Sequence, residues 1–198
     1  IAGKRKALVQ QAREVLGDAV PKPHPAVRAI VRREPPRATL PPRGAFEVQH
    51  CVAAMRSLDA SYLVVQGPPG TGKTYRGARM VVAAIEAGLR VGVCAVSHKA
   101  VHNLLREIEK AAAEAGVDVR GFHKASKADP TSVYASDSGI IESKDDNDCA
   151  EDPGFNLVSG TTFLFPRPGL DRAFDLLFID EAGQMALADV VSAGRAAT

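Results

Sequence analysis

Cysteine is scarce and unpatterned in this chain: Cys51, Cys94 and Cys149 are odd in number and show no CxxC spacing. That excludes a disulfide framework, supports no zinc-thiolate site, and fits a reducing, cytoplasmic compartment. Cys94 lies inside an apolar run and reads as a small core residue. Long hydrophobic runs are missing too. None approaches the ~18 residues that a membrane-spanning helix requires, so a soluble protein is expected. No secretory signal pattern opens the chain, which begins with Ile1 and not Met, and both ends read as cut or processed. His98 and His102 stand four apart, a spacing compatible with metal binding. No third ligand and no HExxH pattern accompanies them, so they read as surface histidines.

What is present points to a globular protein. At 198 residues, 45% apolar and 24% charged, the chain has room for one domain, or one domain plus an appendage, around a real core. Its net charge of +2 is unevenly spread. Residues 1–44 carry ten Lys/Arg against three Asp/Glu, and residues 120–152 carry four against eight. The first is a basic arm of the kind that contacts nucleic-acid phosphates, although a solvated basic surface has the same composition. The second, polar and almost free of pattern, reads as an acidic insertion loop at the surface.

Lys4 to Leu16 has helical spacing in Ala7, Leu8, Ala12 and Leu16. Seven of the thirteen prolines then fall between Pro21 and Pro42, which predicts a linker or extended arm, with compact structure starting near Gly44. The expected division is an N-terminal helix and Pro-rich arm over 1–43, and a domain over 44–198. Within that domain Val48, Cys51, Val52, Met55 and Leu58 share a helical face, and "SYLVVQ" reads as a buried strand. A glycine-rich turn and a helix from about Thr74 to Ala87 follow. "RVGVCAVS" is a second strand, Val101 to Ala112 an amphipathic helix ending at Gly116, and "FNLVSG" and "FDLLFID" further strands. "MALADVVSAGRA" reads as a last helix. Strands alternating with helices imply an α/β fold, a parallel sheet with helices on both faces.

"GPPGTGKT", Gly67 to Thr74, satisfies G-x-x-x-x-G-K-[ST], with the strand before it and the helix after it that this motif needs. Gly67, Gly70 and Gly72 let backbone N–H groups surround phosphate oxygens, and the following helix offers its positive end. Pro68 and Pro69 stiffen the turn; Thr71 lies within it and Tyr75 follows it. Lys73 is expected to reach the β- and γ-phosphates and the Thr74 hydroxyl to ligate Mg²⁺. Further on, "LLFIDEAGQ" delivers Asp180 from the end of a buried strand to hold the metal, with Glu181 to orient and deprotonate the attacking water. A second carboxylate beside the first points to hydrolysis of a nucleoside triphosphate with Mg²⁺ and not to phosphoryl transfer to another substrate.

Together, "QGPPGTGKT" and "DEAGQ" resemble the superfamily 1 helicases, in the 5′-to-3′ branch that contains the nonsense-mediated-decay helicase and the Okazaki-fragment nuclease-helicase. Bacterial members carrying a RecB-like nuclease are the narrower likeness, over about residues 44 to 198. The resemblance implies a RecA-like motor domain driven by ATP, incomplete in this chain. It implies that Gln49 reads the adenine edge and Gln184 senses the γ-phosphate. In "VSHKAVHNLL" it implies that Ser97, His98, Lys99 and Asn103 grip a single strand, and in "VSGTTFLF" that Gly160, Thr161 and Thr162 lie near its phosphates. The implied partner is single-stranded nucleic acid, DNA before RNA, with a second helicase domain or a nuclease elsewhere in the full-length protein. Past Gln184 the family expects a further strand and a second domain supplying arginines to the γ-phosphate. Neither is in this sequence, so very slow turnover by this chain alone is expected. Two alternatives differ in class: a P-loop module that binds nucleotide or nucleic acid without motor activity, and another P-loop ATPase of AAA type.

Overall fold

The structure, a computed structural model, describes residues 2–16, 24–42 and 44–198. Five strands pair into one sheet: β1 Val91–Ala95, β2 Gly121–Lys124, β3 Ile141–Lys144, β4 Leu157–Thr161 and β5 Leu176–Ile179. Their spatial order is β3-β2-β4-β1-β5, and every pairing is parallel. The helices are α1 Ala2–Leu16, α2 Pro25–Arg32, α3 Val48–Arg56, α4 Lys73–Glu86, α5 His98–Ala115, α6 Asn147–Glu151 and α7 Leu187–Gly194.

Side chains alternate across a strand, and here each alternate set feeds a different core. Val91, Val93, Ala95 and Leu157 join α3, α4 and α5 on one face. Cys94, Val158 and Phe122 join α6, α7, Phe165 and Phe174 on the other. A strand buried on both faces has no polar side, which is why β1 is an unbroken apolar run. Gly92 belongs to this packing: a Cβ there would stand 2.7 Å from the Leu177 side chain and 3.0 Å from that of Phe165. The α/β fold with a parallel sheet and a helical layer on each face is as expected.

Four local expectations are corrected. "SYLVVQ" forms no strand: the segment is extended, but Val64 is 71% and Val65 41% exposed. A strand needs a ladder partner, and this segment pairs with none of the five strands, the open edge of β5 included. The strand β5 is not buried. It pairs only with β1 and is half-buried along its length, as an edge strand must be.

The stretch 120–152 is not an insertion loop, for it supplies β2 and β3. β2 sits between β3 and β4 with Gly121, Phe122 and His123 buried. Its core contribution comes from Phe122 alone, and its other buried residues carry no apolar signal. The acidic surface remains, with Glu142, Asp145, Asp148, Glu151 and Asp152 exposed.

The N-terminal arm is not free over its described part. Pro25 occupies the start of α2, where its missing N–H costs nothing, and Val27 and Ala29 are buried. Both α1 and α2 pack against α7. α1 buries Ala7, Gln11 and Glu14, while Leu16 is 82% exposed, so its inward face is largely polar. The reason is Arg195, whose guanidinium donates to Glu14 Oε1 at 2.8 Å and Gln11 Oε1 at 3.2 Å. Burial alone would raise the Glu14 carboxyl, but Arg195 and the His24 N–H outweigh it and hold it low. Residues 34–42 are irregular, as the prolines predict; the expected arm over 17–23 and at 43 lies outside the described residues.

Candidate functional site

The P-loop hangs between the extended segment 61–66 and α4. That segment is held from the N-terminal side: Arg37 N donates to Ser61 Oγ at 2.9 Å, and Tyr62 Oη to Glu34 O at 2.6 Å. Gly70 (φ +77°) and Gly72 (φ +76°) adopt the left-handed conformation that other residues take only at a cost. Gly72 caps α4 with no side-chain hydrogen bond, so the first N–H groups of the helix keep no internal partner. Lys73 folds back across the loop, its Nζ donating to Gly67 O at 2.6 Å and Pro68 O at 2.8 Å. Thr71 Oγ1 also donates to Pro68 O at 2.8 Å. A glycine-built turn, an uncapped helix start and an ammonium group held only by loop carbonyls are groups that suit the phosphates of a nucleotide.

Gln49 is exposed on α3, and its Nε2 donates to Glu47 Oε2 at 2.9 Å, so its amide turns toward its own helix start. Arg76, a residue that sequence reasoning passed over, ties this region to the loop. Its guanidinium donates to both Phe46 O and Thr71 O. The signal available was its place one turn after the P-loop lysine. Tyr75 is exposed and lies under the Arg79 guanidinium, 3.4 Å from its ring centroid.

At β5 the ladder extends one residue, with Asp180 N donating to Cys94 O at 2.8 Å. Asp180 Oδ1 accepts from Glu181 N at 2.9 Å. Glu181 takes φ +52°, a left-handed backbone that costs a non-glycine residue about 1–3 kcal/mol and gathers at functional sites. A short 3-10 turn, Ala182–Gln184, leaves Glu181 and Gln184 exposed. Among the described residues, no hydrogen bond or ion pair joins the P-loop to Asp180, Glu181 or Gln184.

The proposed strand contacts converge more closely. A cleft of about 680 Å³ opens at the C-terminal ends of β1 and β4, and Ser97, His98, Lys99, Asn103 and Thr161 line it. Ser97 caps α5, its Oγ accepting from Ala100 N at 3.2 Å. Arg106 and Phe163 line the same cleft, and Phe163 is 63% exposed. Two expected residues turn away. Gly160 is buried in β4, where a Cβ would stand 2.8 Å from the Leu164 side chain, so its glycine answers to packing. Thr162 is buried and accepts from Lys4 Nζ at 3.0 Å, while Lys4 also pairs with Asp189 at 2.6 Å and lies over the Phe163 ring.

The histidines are not surface groups. His102 is buried, His98 half-buried, and both face the fully buried His123 of β2. Burial pushes all three imidazoles down, and His123 to about 3.

No helix among the described residues is long and apolar enough to cross a membrane. A family model described as an AAA domain matches residues 48–198, from the first residue of α3 through α7. No curated protein matches the chain.

Proposed function

The chain belongs to the AAA domain family, and on that premise we propose that it works as the ATP-binding and ATP-hydrolysing part of a nucleic-acid helicase of the superfamily 1 type. Its AAA-type P-loop domain is a nucleotide-binding ATPase module, and domains of this class use ATP with Mg²⁺. The observation that carries the helicase reading is the cleft. It gathers Lys99, Arg106, the α5 N-terminus and an exposed Phe163 at the C-terminal ends of β1 and β4. Parallel sheets bind ligands at that end, cations and helix N-termini hold phosphates, and an exposed aromatic ring stacks an unpaired base. Single-stranded nucleic acid is the partner this combination suits, and the resemblance to nuclease-linked helicases puts DNA before RNA.

In this reading Lys73 and the first N–H groups of α4 bind the β- and γ-phosphates, and Gln49 faces the adenine. Thr74 and Asp180 hold Mg²⁺, which supplies charge neutralisation when bound. Glu181 takes the proton of the attacking water, and Gln184 reports the γ-phosphate. Arg76 is committed to Phe46 O and Thr71 O, and in this reading the arginine for the transition state is supplied by a second motor domain, as the resemblance implies. Its lack lowers turnover by about 10³–10⁵. A nuclease domain in the full-length protein completes the proposal.

The test is ATP turnover by the full-length protein with and without single-stranded DNA or RNA. Stimulation is expected, stronger with DNA. Equal turnover with neither, DNA or RNA overturns the helicase reading and leaves an AAA-type ATPase with another client.

A further inference from the structure

We propose that His98, His102 and His123 form a three-histidine site for a borderline divalent transition-metal ion, zinc first, in the wall of the cleft. Their ligand atoms all lie within 4.8 Å of one another. His98 and His102 stand one turn apart on the inward face of α5, and His123 meets them from β2. His98 Nδ1 is 3.1 Å and His102 Nε2 is 3.3 Å from His123 Nε2. Two nitrogens sharing a tetrahedral zinc at about 2.0–2.1 Å are about 3.3 Å apart. Thus two of the three edges are already at ligating length.

Two tautomers of His123 are compatible with its hydrogen-bond partners, and one of them leaves a lone pair at the centre of the cluster. His123 Nδ1 lies 2.9 Å from Ser159 Oγ, and Ser159 Oγ lies 3.3 Å from Phe122 O. A carbonyl only accepts, so the arrangement that keeps both bonds has Ser159 donating to Phe122 O and accepting from His123 Nδ1–H. His123 Nε2 is then a bare lone pair. Yet it faces Ser132 O at 3.1 Å, a second lone pair, as well as the two other histidines. His102 Nε2 faces that same oxygen at 3.2 Å. The other tautomer, with Nε2–H donating to Ser132 O and Nδ1 accepting from the Ser159 hydroxyl, gives up the longer Ser159–Phe122 bond; the first leaves the Nε2 lone pair free to ligate. A cation at the centre would be held by one lone pair from each of the three imidazoles.

The surroundings resemble those of histidine metal sites. The far nitrogen of a ligating imidazole usually donates to a fixed acceptor, and Ser159 Oγ, 2.9 Å from His123 Nδ1, is placed to be that acceptor when Nε2 ligates. Imidazole nitrogens favour zinc, copper, nickel and cobalt over magnesium or calcium. His98 and His102 both line the cleft, so the fourth position is open to water or to a ligand there. The ion would fasten α5 to β2 and to the segment carrying Ser132. The inference stands whether or not the cleft binds nucleic acid.

The experiment strips the full-length protein with a chelator and titrates it with Co²⁺, read by ligand-field absorption, and with Zn²⁺, read by metal analysis after gel filtration. One equivalent per chain is expected, with a tetrahedral Co²⁺ spectrum that Zn²⁺ abolishes. His98→Ala and His102→Ala are each expected to weaken binding by more than about 100-fold, and Ser159→Ala by about 10–100-fold. Buried His123 is a risky target, so half-buried His98, at the first position of α5, carries the test, with circular dichroism reporting its fold. Failure to retain zinc, or equal retention by His98→Ala, overturns the proposal.

Discussion

The P-loop and the α5 cleft are entered by segments of the same kind, extended chain turning into a helix, but their supports differ. Val64 and Val65 lead to the P-loop largely exposed and without a ladder partner, whereas Val93, Cys94 and Ala95 lead to Ser97 fully buried between β4 and β5. Lys73 and Thr71 are held by carbonyls of their own loop. Across the cleft, Ser132 and His123 are fixed by contacts between residues far apart in sequence. The contacts inside the P-loop are thus local, and the bonds of Ser61, Tyr62 and Arg76 to residues 34–46 tie it to the N-terminal side. The cleft exists only once the sheet has assembled.

A local site can lose its chemistry without losing its fold, and the largest effects should show this. Glu181→Gln removes the proposed base while keeping size and hydrogen bonding. It is expected to lower ATP turnover of the full-length protein by about 10²–10⁴, with nucleotide affinity retained. Unchanged turnover would return Glu181 to an ordinary exposed strand end. Lys73→Ala comes next. Loss of a charge-assisted bond to phosphate is worth about 1.5–3 kcal/mol, or about 10–100-fold in ATP affinity by a fluorescent-nucleotide titration. Its thermal midpoint should stay with the parent, since Lys73 contacts only its own loop.

On the cleft side the prediction is opposite: polar changes should reach the fold itself. Glu109, buried on α5, accepts from the Tyr134, Ser136 and Ser138 hydroxyls and from Asp137 N, pinning the segment between β2 and β3. Burial alone would raise its carboxyl, but these four donors outweigh it and hold the folded value below the ordinary 4.5. A depressed carboxylate contributes stability above its unfolded value, and that stability is lost as pH falls through the folded one. Glu109→Gln is therefore expected to cost about 1–3 kcal/mol at pH 7 in urea unfolding. The gap from the parent should narrow as pH falls below about 4. A gap independent of pH would mean that shape, and not charge, holds the segment.

The same contrast explains what could be read in advance. "GPPGTGKT" and "DEAGQ" stand out as candidates in the sequence because their chemistry is local: glycines, a lysine and two carboxylates at fixed spacing need no knowledge of the sheet. The α/β class was legible from apolar runs such as Val91–Ala95. By contrast, β2 and β3 were hidden because "GFHK" and "IESK" carry one apolar core residue each, Phe122 and Ile141. The third histidine was hidden with them, as nothing in sequence links His123 to α5 twenty-one residues earlier. Arg76 was missed because its partners are backbone oxygens, which have no sequence signature. "SYLVVQ" misled in the other direction, since β-branched residues mark a strand only where the fold lays them against a neighbour, and this segment lies against none.

That last point carries the smallest prediction and the sharpest test of the comparison. Val64 is 71% exposed and Val91 is fully buried, so one substitution should behave differently at each. Val64→Thr is expected to change unfolding free energy by less than about 0.5 kcal/mol, the range of an exposed site. Val91→Thr puts a hydroxyl into the core shared by α3, α4 and α5, and is expected to cost about 1–3 kcal/mol. Equal costs at both positions would place Val64 inside a packed sheet. The P-loop would then be anchored through long-range pairing, like the cleft, and the contrast between a local and an assembled site would fail.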